Sequence, residues 1–182
     1  MNIHQLNVSH VDRHDRLLLR LNTQTAEEFR FWLTRRLTLR LLPALQQAVG
    51  RLESNQPGVM APDPTSQQIL TDLKRDAFLQ QADFKTPYAE QAQQLPLGKE
   101  PMLVTDVQLN FQGQGVLITL QDKGGPDTQA QSCQLNLPAS LVHGLIHLLR
   151  QAVDKAQWLS TDPGASPTPA AAPAEPIAGY KH

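Results

Sequence analysis

The chain has 182 residues, enough to bury a core without disulfides or metals. Its formal charge is −1, it has a single cysteine, and no window approaches roughly eighteen uninterrupted apolar residues, which excludes a disulfide scaffold and a membrane-spanning helix. Residues 1–54 hold eight arginines against five acids, net +3, and the remainder is −4, so the first half permits an anionic partner but falls short of the basic excess usual in nucleic-acid binders.

Ile3, Leu6 and Val8, then Leu17, Leu19 and Leu21, bracket the polar segment Ser9 to Arg16 and predict two antiparallel strands joined by a loop. Phe29, Phe31 and Leu33 alternate as a third strand, with Arg30 and Trp32 on its other face. Thr34 then caps a helix over about 35–53, whose stripe Leu37, Leu41, Ala44, Leu45, Ala48 and Leu52 follows the helical period. Arg36, Arg40, Gln47 and Arg51 form a polar ridge beside that stripe. Pro43 predicts a kink or a detached first turn, because its ring removes a hydrogen bond and displaces the carbonyl four residues back.

Ser54 to Pro64 is a loop by its Pro, Gly, Asn and Asp content. A helix starting at Thr65 or Ser66 and running to about Phe84 carries the narrow stripe Ile69, Leu70, Leu73, Ala77 and Phe78. Lys85 to Glu100 is an irregular connection packed down by Tyr88, Leu95 and Leu97. Strands Leu103 to Phe111 and Val116 to Gln121 flank the hairpin turn Gln112-Gly113-Gln114-Gly115. Cys133, Leu135 and Leu137 make a further half-buried strand, and Pro138 sits in the first turn of a closing helix. After Trp158 the Pro, Ala, Ser and Thr content cannot offset the entropy of ordering, which predicts a disordered tail over 159–182.

Leu33, Leu37, Leu41, Leu45, Gln47, Ala48 and Val49 recur at a constant offset as Leu137, Leu141, Leu145, Leu149, Gln151, Ala152 and Val153. The expected fold is therefore α+β: tandem strand-strand-strand-helix repeats at 1–53 and 101–158, packed as one unit, with a loop and inserted helix at 54–100. This topology resembles the Whirly and PUR families over about residues 1–53 and 101–158. Their repeats place a helix after a curved antiparallel sheet that binds single strands, generally with four strands per repeat against the three predicted here. The resemblance implies a single-stranded nucleic-acid partner.

No stretch carries a specific catalytic or cofactor motif, so no cofactor is expected. His143 and His147 share a helix face at metal-ligand spacing, but they fall opposite the Leu141, Leu145 and Leu149 stripe, where an exposed polar face is the simpler reading. His10 and His14 repeat the spacing in a predicted loop, where it loses geometric meaning. Ser9, His10 and Asp12, or Ser140 and His143, sit in no nucleophile elbow. Gly113, Gly115, Gly124 and Gly125 are hairpin glycines rather than a phosphate cradle. Cys133, on the apolar side of its strand, is a core thiol.

The sharper candidate is Arg30, Trp32, Arg35, Arg36, Leu39 and Arg40, an aromatic ring and apolar strip among guanidinium groups. Arginine beside large apolar groups is common at protein interfaces, and arginine with an aromatic platform holds single-stranded nucleic acid. The second repeat replaces Arg35, Arg36 and Arg40 with Ala139, Ser140 and Gly144. The preferred function is thus a non-enzymatic binding or adaptor protein, acting on a protein partner or another copy of itself. The alternative is a single-stranded nucleic-acid binder, and an enzyme or a metal site at His143 and His147 comes third. Without a signal peptide or spanning segment, the expected location is the cytoplasm and no membrane partner is foreseen.

Overall fold

The computed structural model describes residues 3–54, 63–84, 86–89, 93–125 and 129–159. Most of the loop predicted at 54–64, and the predicted tail from residue 160 on, lie outside the described residues. The fold is α+β, with two sheets that are almost wholly antiparallel and three helices among the described residues.

The first sheet has the order β1 (Ile3–Val11), β2 (Arg16–Thr23), β3 (Glu28–Thr34), β4 (Met102–Leu103). β1 runs further than the predicted loop allowed: Ser9, His10 and Val11 pair with Leu18, Leu17 and Arg16. The connection shrinks to a 3₁₀ turn at Asp12–His14, reversed by Asp15 at φ 45°, whose N–H bonds Asp12 O at 3.1 Å. Aspartate tolerates this left-handed conformation better than most residues, which lets so short a polar turn close the hairpin.

The second sheet has the order β5 (Asp106–Gln112), β6 (Gly115–Asp122), β7 (Gln131–Pro138). Gln112 pairs with Gly115 across the predicted tight turn, and Gly113 sits at φ 59°, which a glycine adopts without penalty. The single strand predicted at 103–111 is divided between the sheets. Met102–Leu103 pairs in parallel with Phe31–Trp32, and Val104 N–H donates to Trp32 O at 3.0 Å. One residue later Thr105 N–H donates to Gln121 O at 2.8 Å, so the chain changes sheets between Val104 and Thr105.

Corresponding apolar rows line the two inner faces. In the first sheet Leu6, Leu21 and Phe29, then Val8, Leu19 and Phe31, then His10, Leu17 and Leu33 stand side by side. In the second the rows are Val107, Leu120 and Cys133, then Leu109, Ile118 and Leu135, then Phe111, Val116 and Leu137. Three helices complete the fold. α1 (Arg35–Ser54) follows β3 and packs on β5 and β6 of the other sheet, whereas α3 (Ala139–Lys155) follows β7 and packs on β1. The two helices also pack on each other, and the buried side chains of both sheets and both helices form one continuous cluster.

α1 is continuous through Pro43, neither split nor shortened. The ring lies on the exposed side, so the hydrogen bond missing at the Leu39 carbonyl is lost where water can replace it. α2 (Pro64–Gln81) starts earlier than predicted: Asp63 is the N-cap, accepting from Ser66 N–H at 3.0 Å, with Pro64 in the first turn. Its apolar residues do not act as one stripe. Phe78 faces α3, 3.3 Å from where a Cβ on Gly144 would stand, whereas Ile69 and Leu73 are 63% and 66% exposed. Pro138 ends β7 and serves as the N-cap of α3 instead of entering its first turn.

Cys133 is buried, and desolvation pushes its thiol up to about 11. The reactive thiolate is therefore scarce near neutral pH. Iodoacetamide at pH 8 is expected to leave the folded protein unmodified and to alkylate it in urea, as read by mass spectrometry. No helix among the described residues is long and apolar enough to cross a membrane.

Candidate functional site

The six residues singled out in the sequence separate into two groups. Arg30 and Trp32 project from the outer face of the first sheet, where the residue rows are Gln5, Asn22 and Glu28, then Asn7, Arg20 and Arg30, then Ser9, Leu18 and Trp32. Two of these rows are overlain by the connection after α2. Asn22 Nδ2 donates to Ala89 O at 3.3 Å, Glu28 N–H donates to Gln94 O at 2.9 Å, and the Arg20 guanidinium lies 4.6 Å above the Tyr88 ring. Arg30 Nη2 donates to Lys99 O. Trp32 packs against His14, with ring centroids 5.4 Å apart. The outer face of the first sheet is thus partly covered by this chain's own residues.

Arg35, Arg36, Leu39 and Arg40 lie on the first turns of α1. Arg35 Nη2 donates to the Trp158 carbonyl, holding the end of α3 beside the start of α1. Arg36 and Arg40 are exposed and make no ion pair among the described residues. Leu39 between them is half-buried, and Pro43, Gln47 and Arg51 continue the exposed ridge toward the C-terminal end of the helix. The structure therefore keeps Arg36, Leu39 and Arg40 together and engages Arg30 and Arg35 in holding the fold.

His143 is not on an exposed polar face. It is 3% exposed, and its Nε2 lies 3.0 Å from Oε1 of Glu53, itself 2% exposed. The sequence reading failed because α3 packs on α1 and α2 as well as on the sheets: His143 meets Glu53 of α1, Phe78 of α2 lies against Gly144, and Val142 and Ile146 are buried alongside Leu145 and Leu149. Glu53 was legible in principle: it stands four residues after Val49, an acid in line with the buried face of α1. His147 diverges from His143 and packs on Phe84, with centroids 4.7 Å apart. Among the described residues no group of three or more His, Cys, Asp or Glu is placed to hold a metal.

His10 and His14 also part company, the first meeting Trp158 edge-to-face at 5.6 Å and the second meeting Trp32. Trp158 is 3% exposed, and its indole N–H donates to Asp15 Oδ1 at 2.7 Å. That bond, helped by His10, holds the Asp15 carboxyl below the ordinary carboxylate range. Asp15 thus closes the β1–β2 hairpin and fastens the residues after α3 to it. No protein-family model, curated protein or solved structure matches this chain.

Proposed function

We propose that this chain is a non-enzymatic binding protein that contacts a protein partner, or a second copy of itself, through the α1 ridge centred on Arg36, Leu39 and Arg40. The observation that carries this reading is the division among the arginines: two are held by backbone carbonyls, while Arg36 and Arg40 flank an apolar side chain with no ion pair among the described residues. Guanidinium groups beside apolar surface are enriched at interface centres, where they pair with carboxylates and lose less hydration than lysine.

The same reading takes the two strand-strand-strand-helix halves as a tandem duplication, supported by the corresponding inner rows and by the constant sequence offset between the helices. At that offset Leu39 and Arg40 stand where α3 has His143 and Gly144, the second of which lies against Phe78 of α2. The partner surface we infer is accordingly a helix with an acidic border, taking on α1 the place that α2 takes on α3.

Arg36→Glu combined with Arg40→Glu is expected to abolish capture of the partner from cell lysate and to leave circular dichroism and Tm unchanged. Capture that survives nuclease treatment identifies a protein; capture that nuclease removes and that falls steeply with salt identifies single-stranded nucleic acid. Undiminished capture by the double variant refutes the ridge as the contact surface.

A further inference from the structure

A groove of about 420 Å³ opens between the C-terminal half of α1, the first turns of α2 and the middle of α3, a volume within the range of small-molecule sites. One arginine from each helix lines it: Arg51, Arg75 and Arg150. Asp72 is the acid in its lining, and its carboxylate is already taken by Arg75 Nη1 at 2.7 Å and by Gln68 Nε2 at 3.0 Å. Arg75 is further tied to Asp76 at 2.9 Å, whereas Arg51 and Arg150 make no ion pair among the described residues. The site therefore carries two available guanidinium groups and one that is held rigid. Val49 and Ile146, both almost fully buried, supply apolar wall, and His143 joins them with its ring held by Glu53.

We propose that this groove binds a small organic anion whose phosphate or carboxylate group is held by Arg51 and Arg150, with its less polar body against Val49, Ile146 and the His143 ring. Planar guanidinium groups match the geometry of both anions, and two of them from different helices fix the group's position as well as its charge. A macromolecule on the ridge needs Arg36 and Arg40, which lie toward the other end of α1, so this inference stands or falls separately from the proposed function.

The test follows the arginine side-chain Nε–Hε signals of the full chain by NMR, at constant ionic strength, during titration with inorganic phosphate, adenosine monophosphate or citrate. Saturating shifts at Arg51 and Arg150, complete below about 10 mM for at least one probe, are the expected result. Saturation by the two phosphates alone assigns a phosphate ligand, and saturation by citrate alone a carboxylate. Arg51→Gln with Arg150→Gln should weaken that binding at least tenfold at an unchanged Tm, with either single variant intermediate, whereas Arg36→Glu with Arg40→Glu should leave it intact. Shifts that never saturate, or that appear equally at Arg36 and Arg40, overturn the site; so does silence with all three probes.

Discussion

Truncating Glu53 or His143 to alanine lowers the unfolding free energy by about 3 to 5 kcal/mol, the sum of an unsatisfied buried partner and the cavity the side chain leaves. The pair lies between α1 and α3, with both side chains under 5% exposed, so water cannot replace the missing partner. His143→Ala is the costlier change, because Glu53 Oε2 already lacks a partner among the described residues and Oε1 would then lose its own. Substituting both positions with leucine, which fills much of the same volume, restores a large part of the loss, since apolar replacement of a buried polar pair is often neutral or better. Urea unfolding of the wild type, the two alanine variants and the double alanine variant makes a double-mutant cycle, with the double leucine variant read beside it. Losses that simply add would mean that the two side chains do not act on each other.

Trp158→Ala is the second large effect, about 3 to 5 kcal/mol. The indole is nearly sealed, bonded to Asp15 and edge-on to His10, so its loss frees the residues after α3 from the first hairpin and leaves only the backbone bond from Arg35. Trp158→Phe keeps most of the apolar contact and loses the bond, costing about 1 to 3 kcal/mol for a donor to a charged acceptor. Because Asp15 titrates below its ordinary value, its contribution is complete above about pH 4 and disappears as pH falls through the lowered folded value. Asp15 is largely exposed, so this acid limb is shallow. Asp15→Asn and Trp158→Phe should both flatten the fall in stability below about pH 4. An unchanged acid limb in both variants would remove the Asp15–Trp158 bond from the account.

The strands that were legible in the sequence are those with one sealed face. In β7, Cys133, Leu135 and Leu137 are buried and the residues between them exposed, and β2 buries Leu17, Leu19 and Leu21. β1 is half-covered on both sides, so its pattern fades just where it runs past the predicted boundary. β4 is two residues long and pairs with a strand some seventy residues earlier, a contact that leaves no local signal. The same limit governs the candidate site. The exposed Arg36 and Arg40 followed from helical spacing alone. The engagement of Arg20 by Tyr88 and of Arg30 by Lys99 depends on tertiary packing, and so do the burial of His143 and its approach to Glu53.

One comparison tests the proposed contact surface most directly. Arg36→Glu with Arg40→Glu, and Arg30→Gln with Arg35→Gln, are assayed side by side for capture of the partner recovered by the wild-type chain, with Tm read on the same samples. The ridge pair should abolish capture at an unchanged Tm, while the other pair should lower Tm by removing the bonds to the Lys99 and Trp158 carbonyls and retain capture below its melting range. Wild-type capture by the ridge variant, or loss of capture only in step with loss of Tm, would contradict the assignment of binding to α1.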